Sequence, residues 1–408
     1  MVDDRDNGEA AGGGRLALAV LLLIVFMSLI GFGVVIPLLP FYAEVFDAAP
    51  WQVTLMFSVF SAGQFIGELT WGRLSDRIGR KPVLLLTIFT SGLGYVALAY
   101  APGIWLAILA RFVAGFFSGN ISTIQGYIVD ISPPSRLAGR LGLIGAAFGI
   151  GFVVGPALGG FLFIENAGEA GFRPPLLAAT ALCWMAGLGA LAFVRESRGR
   201  SAATVPARPN PIAALTDALG SPVLRKILGT TFLGFLAFSS LWAVLGLWGA
   251  AKWGWGARQI SQVISLTGVA AALAQGFFSG FVVRRIGETA TIVGGLTITG
   301  IAVLVTALSG QTWLVVVALI AATAGHTMSQ PATSALISHS APPDKQGSTL
   351  GANNAAGSAA RVLGPAIAGA LFGLAIDAPF LFCALGMGPA AWLAWRAGRA
   401  VAAHRRSA

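Results

Sequence analysis

Twelve stretches of the chain are each apolar and long enough to cross a lipid bilayer, and this pattern limits the fold more narrowly than any other feature. A spanning helix needs roughly 20 predominantly apolar residues. Six such stretches lie near Arg15–Phe41, Gln52–Trp71, Pro82–Ala101, Ile104–Val129, Ala138–Phe163 and Pro174–Val194. Six more lie near Leu224–Ala250, Gln259–Val283, Thr289–Leu308, Thr312–Ser338, Gly347–Ala375 and Pro379–Trp395. Composition agrees: 56% of the 408 residues are hydrophobic and 10% charged, whereas soluble domains carry about 25% charged residues. So little charge cannot keep a chain of this size dissolved, and the solvent for most of it is lipid. The 54 glycines suit helices that pack closely in a bilayer. The short polar leader Met1–Gly14 has no small-residue cleavage site, and the apolar run after it is too long for a removable signal peptide.

A net charge of +10 raises the question of nucleic acid, but the distribution of Lys and Arg answers it. With both termini in the cytoplasm, 21 of the 26 fall on the cytoplasmic side. Three (Arg173, Lys252, Arg258) fall on the opposite side, and Arg111 and Arg361 fall inside spans. Positive charge retained in the cytoplasm sets the orientation of membrane helices, so the basic residues belong to insertion. The two cysteines, Cys183 and Cys383, sit mid-span with no CxxC or Cys/His spacing and read as small buried residues.

The polar break from Arg195 to Lys226 divides the spans six and six. The expected organisation is a tail at 1–14, a six-helix bundle at 15–195, a linker at 196–223, a second bundle at 224–396 and a tail at 397–408. An internal repeat supports it. Gly155-Pro156-Ala157-Leu158-Gly159-Gly160 recurs as Gly364-Pro365-Ala366-Ile367-Ala368-Gly369, and Gly72–Gly79 has a worn copy at Gly280–Gly287. Both copies lie about 209 positions downstream. Paired bundles of this kind enclose one site near the bilayer midplane and alternate its access by rocking.

Three motifs carry further meaning. Gly72-Arg73-Leu74-Ser75-Asp76-Arg77-Ile78-Gly79-Arg80-Lys81 follows the second span. Gly151-Phe152-Val153-Val154-Gly155-Pro156-Ala157-Leu158-Gly159-Gly160, preceded by Gly142, Gly145 and Gly149, lies in the fifth. Its small residues recur every third or fourth position and form a groove for another helix's backbone. Pro156 removes one backbone bond and bends the span. Arg111 opens Arg111-Phe112-Val113-Ala114-Gly115 in the fourth. An Arg at the bilayer centre costs roughly 2.5–3.5 kcal/mol on insertion scales and marks function by default; the alternative is that it snorkels to the outer interface. With these motifs, and with Gly31-Phe32-Gly33 and Arg195-Glu196-Ser197, the chain resembles the major facilitator superfamily over nearly its whole length. Within it, the resemblance is to the drug–proton antiporter branch that includes tetracycline efflux proteins.

The resemblance implies an all-α membrane protein with the major facilitator fold, twelve transmembrane helices in two pseudo-symmetric six-helix bundles. It implies a conformational latch of Gly72, Asp76, Arg77, Gly79 and Arg80, with Asp76 at the start of the eleventh helix and the basic residues paired with Asp130. It implies that Gly151, Gly155, Pro156, Gly159 and Gly160 form the antiporter signature of exporters, and that Arg111 takes part in proton transfer. The sequence departs from tetracycline carriers at three places where those have acids: Met27 or its neighbours, Gly94 and about Thr297 stand here.

The ionisable residues left inside spans are Glu68, Arg111, His326 and Arg361. Glu68 either takes up the transported proton or joins the Arg-rich loop in a static pair. His326 lies about 21 Å along its helix from Thr312, near mid-depth. An imidazole titrates between pH 5 and 8, as a proton site must, and a neutral structural His is the alternative. Arg361 either faces the cavity or pairs with a distant carboxylate. Gln64, Asn120, Gln125, Gln330, Asn353 and Asn354 are polar in apolar spans, and hydrocarbon penalises unmatched polarity, so they are candidate cavity lining. Phe235, Phe238 and Trp242 share one helical face, either to stack on a ligand or to pack helices. Trp248, Trp253 and Trp255 read as an interfacial belt.

No GxxxxGK[ST], HExxH or GxSxG occurs and there are three His, which leaves little for a membrane enzyme. The expected protein is a monomeric exporter of small amphipathic compounds in the bacterial inner membrane. It uses a proton gradient and no cofactor or metal, with protons, a small-molecule substrate and lipid as partners and no nucleic acid. The alternative function is a facilitator for an anionic amphiphile with Arg361 as counter-charge.

Overall fold

The computed structural model describes residues 4–197, 211–342 and 345–407. Much of the expected linker, 198–210, lies outside the described residues. Twelve helices have the length and hydropathy of membrane spans, and no strand occurs among the described residues. They are α1 (Leu18–Glu44), α2 (Pro50–Ile78), α3 (Arg80–Ala99), α4 (Ile104–Asp130), α5 (Gly139–Leu162) and α6 (Gly168–Phe193). The second set is α7 (Pro222–Trp253), α8 (Ala257–Ile286), α9 (Glu288–Leu308), α10 (Thr312–Ser340), α11 (Gln346–Leu374) and α12 (Ala378–Ala403). The last helix continues to Ser407, through what the sequence suggests is a tail. A short helix, Pro211–Gly220, precedes α7.

The chain separates into two compact units between Val205 and Pro206. Asp47–Ser58, the start of α2, counts with the second unit; there Gly369 of α11 lies against Trp51 and Thr54.

In the first unit α1, α3, α4 and α6 share a core that includes Leu21, Ile24, Val25, Leu84, Ile88, Ile124 and Ala190. Helices in lipid gain little from hydrophobic segregation and pack through small residues instead. Gly63 and Gly67 of α2 cross Gly115 and Gly119 of α4 so closely that a Cβ on any of the four would strike the facing backbone. The same device joins α5 to α1: a Cβ on Gly155 would lie 2.8 Å from the Gly33 Cα, and one on Gly33 would lie 3.0 Å from Pro156 Cδ. The second unit repeats this seam, with Gly364 of α11 against Leu236, Ser239 and Ser240 of α7.

Backbone irregularities cluster where spans must turn or yield. Gly79 (φ +106°) and Gly287 (φ +83°) precede α3 and α9, equivalent places in the two halves, and each adopts a conformation that disfavours side chains. In α4 the helix is interrupted at Gly119–Asn120, and α8 contains a π turn at Ala274–Phe278.

Trp248 corrects the interfacial-belt expectation. It is fully buried in the second unit and packs on Phe380, ring centroids 4.5 Å apart. Its Nε1 donates to Asp377 Oδ1 at 2.7 Å, and Lys252 reaches the same oxygen at 2.9 Å while donating to the Ala307 carbonyl at 2.6 Å. Trp255 is also buried. The indole N–H found a carboxylate partner, which composition alone could not place.

Candidate functional site

One end of the first unit carries a charge cluster built from the motif after α2. Arg80 is 2% exposed. Its Nη1 lies 2.8 Å from Asp76 Oδ1 and donates to Ser75 Oγ at 2.7 Å, and its Nε lies 3.2 Å from Asp130 Oδ2. Gly126 leaves the room that the guanidinium fills. The Ser197 hydroxyl also donates to Asp130 Oδ2 at 3.0 Å. Gly72 is buried within α2 and Arg77 points outward. A residue from far along the chain completes the cluster: Glu196 accepts the backbone N–H groups of Arg80 (2.9 Å) and Lys81 (3.1 Å) at the start of α3. A carboxylate there satisfies free donors and the helix dipole. A Cβ on Gly79 would occupy the space of that carboxylate.

The fifth-span motif faces α1. Gly151 lies against Leu29 and Phe26, Gly155 against Gly33, and Gly159 against Val34; Pro156 and Gly160 are buried with them. The glycines ahead of the motif do not extend this seam, since a Cβ on Gly142 or Gly145 would meet nothing within 4 Å.

Arg111 is 1% exposed, with its guanidinium carbon 4.2 Å from the centroid of the Phe60 ring, which in turn stacks on Phe32. Nε, Nη1 and Nη2 have no hydrogen-bond partner among the described residues. The side chain is therefore enclosed, which rules out snorkelling. Of the polar candidates nearby, Asn120 is buried at the break in α4 and donates to Thr87 Oγ1 at 2.9 Å. Gln64 and Glu68 are half-buried on α2, and Gln125 is exposed. Gly94 lies against Ala114, where a Cβ would come within 2.8 Å of the Ala114 Cβ.

In the second unit α7, α10 and α11 bring together residues that the sequence leaves apart. His326, 3% exposed, stacks on Phe238 with centroids 3.9 Å apart and planes at 14°, and meets the edge of Phe235 at 5.2 Å. Its Nδ1 has no partner among the described residues, and Nε2 lies 3.3 Å from the Gln330 side-chain nitrogen. Phe238 meets Trp242 edge-on, at 5.9 Å. On the far side Arg361 lies 5.2 Å from the Phe235 centroid and donates from Nη2 to Ser358 Oγ at 2.8 Å. Asn353 is buried and accepts from Thr231 Oγ1 at 2.6 Å, whereas Asn354 is exposed and turned away from it. The aromatic stripe on α7 is thus a box around an imidazole. No group of three or more His, Cys, Asp or Glu suited to a metal occurs among the described residues.

The second unit thus contains a polar aromatic box in mid-span, and the first an enclosed cation. Twelve spans in two repeated halves with such interiors define a polytopic membrane transporter. The chain belongs to the Major Facilitator Superfamily, whose sequence model matches residues 21–256 and 227–407. It is 28% identical over 360 residues to the class C tetracycline resistance protein of Escherichia coli, covering 87% of this chain and 89% of that one. It is 26% identical over 369 residues to the quinolone resistance protein NorA of Staphylococcus aureus, covering 90% and 92%. Among solved structures, the human organic anion transporter MFSD10 superposes with a TM-score of 0.69 at 23% identity, over 93% of this chain and 99% of that one. A bacterial homologue of the lysosomal transporter Spinster superposes with a TM-score of 0.76 at 15% identity, over 95% and 97%.

Proposed function

We propose that the protein exports small amphipathic, drug-like compounds across the bacterial inner membrane in exchange for protons, as a monomer with alternating access and both termini cytoplasmic. Relatives that confer tetracycline and quinolone resistance support efflux. The observation that carries the coupling is His326, enclosed at mid-span against two aromatic rings with Nδ1 unbonded. Its protonation turns a stacked neutral ring into a cation held on aromatic faces, and the change in charge favours a different packing of α7 and α10. Arg111, on the fourth helix of the other half, and Glu68 are the companion groups. With no acid at Met27 or its neighbours, at Gly94 or at about Thr297, where the resemblance to tetracycline carriers implies one, an imidazole does the work of a carboxylate.

In this reading Asp76, Arg80, Asp130 and Glu196 hold one end of the first unit as the latch. The Gly33–Gly155 seam lets α5 move against α1. Phe235, Phe238, Trp242, Gln330 and Asn353 contact substrate. A second reading, a facilitator for an anionic amphiphile, is favoured by Arg361 lying over Phe235 beside the same box.

Proteoliposomes holding an internal pH dye separate the readings. On antiport, adding a lipophilic aromatic substrate moves protons the opposite way, and His326→Gln abolishes the proton movement while substrate still exchanges. Substrate flux in the native protein without any proton movement defeats the antiport reading. Loss of anion but not neutral flux in Arg361→Ala supports the second.

A further inference from the structure

We propose that the second unit carries a binding site for an anionic phospholipid, in a groove between the start of α9 and the ends of α10 and α12. The groove has a volume of about 760 Å³, and its walls include Ile286, Thr289, Val293, Leu336, Trp395 and Arg399. All three helices begin or end there, so the groove lies at the boundary between hydrocarbon and headgroups. It is separate from the aromatic box: His339, at its rim, is about 20 Å along α10 from His326 at the helical rise per residue. The site does not depend on what the protein exports.

The chemistry is lopsided toward positive charge. Glu288 is the one acid of the walls, and His339 Nδ1 holds its carboxylate at 2.8 Å. Arg399 is the cation of the walls, and Arg396 on α12 and Arg285 on α8 stand beside them, each guanidinium laid over an aromatic ring on its own helix. Arg399 lies over Trp395 at 4.8 Å, Arg396 over Trp392 at 4.9 Å and Arg285 over Phe281 at 4.9 Å. Trp392 and Trp395 are 51% and 44% exposed, the amphipathic rings that prefer headgroup depth. Gly287 caps α9 with no side chain of its own, and Glu288 follows in the first turn, where the helix dipole favours its carboxylate.

A lipid phosphate fits Arg399, with Arg396 a turn earlier on α12 just outside the walls, and its glycerol and upper acyl chains fit the apolar wall of Val293, Leu336 and Ile286. A soluble anion would use the arginines and leave the wall wet; a neutral lipid would use the wall and leave the arginines to water. The bound lipid would tie α9 to α12, which already meet where the Thr289 side chain lies against Gly398.

The test titrates the full-length protein in neutral detergent with phosphatidylglycerol, phosphatidylcholine or inorganic phosphate. Bound lipid is counted by native mass spectrometry, with thermal unfolding followed in parallel. Phosphatidylglycerol is expected to bind about tenfold tighter than phosphatidylcholine, and Arg396→Gln and Arg399→Gln each to weaken it about fivefold. Gly294→Leu, placed where a Cβ meets nothing within 4 Å, fills the groove and weakens both lipids without disturbing the fold. Arg258→Gln, at the start of α8, removes equal charge elsewhere and leaves phosphatidylglycerol binding unchanged. The proposal is overturned if the Arg396/Arg399 double variant binds phosphatidylglycerol as well as the native protein. It is equally overturned if Arg258→Gln weakens binding to the same extent, or if inorganic phosphate stabilises the protein as much as the lipid does.

Discussion

Replacing Arg80 with Ala tests the charge cluster most directly, because one buried cation serves three partners. The variant loses the 2.8 Å pair with Asp76, the 3.2 Å pair with Asp130 and the 2.7 Å bond to Ser75. It leaves two carboxylates facing a void beneath Gly126. Removing one partner of a buried ion pair costs about 3–5 kcal/mol. Because Asp76 and Asp130 keep 16% and 20% of their side-chain surface exposed, water offsets part of this and we expect about 2–4 kcal/mol. At about 2–4 °C per kcal/mol for a unit of this size, the unfolding midpoint falls by about 4–16 °C. The protein supplies its own reporters: Cys183 in the first unit and Cys383 in the second are both buried and free. A thiol-reactive fluorophore reads Cys183 alone in a Cys383→Ala background and Cys383 alone in a Cys183→Ala background. Arg80→Ala should advance labelling of Cys183 on heating and leave Cys383 nearly unmoved. Arg77→Ala, at an exposed position, should stay within about 0.5 kcal/mol, and adding Asp130→Asn to Arg80→Ala should restore about half of the loss by discharging one of the two carboxylates that lost the guanidinium. If Arg80→Ala behaves like Arg77→Ala, or both cysteines become reactive together, Arg80 does not hold this end of the first unit.

Two further substitutions probe the interior. Arg111→Met removes a guanidinium with no bonded nitrogen and should raise the Cys183 labelling midpoint, by about 1–3 kcal/mol, while abolishing proton-linked transport; a lowered midpoint would mean that the charge is satisfied after all. Gly155→Leu drives a side chain into Gly33 and should cost at least about 1–3 kcal/mol and stop transport. Gly142→Ala, in open space, should change stability by no more than about 0.5 kcal/mol, and equal losses in the two would refute the seam.

The spans were readable because hydrocarbon tolerates few alternatives to long apolar helices, and charge bias and repeat marked the division into halves. Motif residues were readable as residues but not always as contacts. Asp130 beside Arg80 follows from the family pattern, whereas Glu196 as the cap of α3 joins positions 116 residues apart and leaves no local trace. The α2–α4 seam did carry a signal, Gly63-x-x-x-Gly67 facing Gly115-x-x-x-Gly119, that the usual small-residue rule finds. Phe238 reads equally as packing or as ligand contact, and only the register of α7 against α10 shows that His326 is its partner. Gln125 and Asn354 are exposed on their helices, and polarity in a span marks expense but not what the side chain faces.

Where Gly33 meets Gly155, the nearest side-chain atom is Cδ of the rigid Pro156 ring, so neither helix offers a long side chain for the other to catch on. Such a contact behaves as a plain bearing: it fixes how near two rods run but resists their slipping only weakly. The aromatic rings Phe235, Phe238 and Trp242 lie on α7 and can change without touching it. A protein built this way can exchange those rings while the spacing of α1 and α5 stays the same.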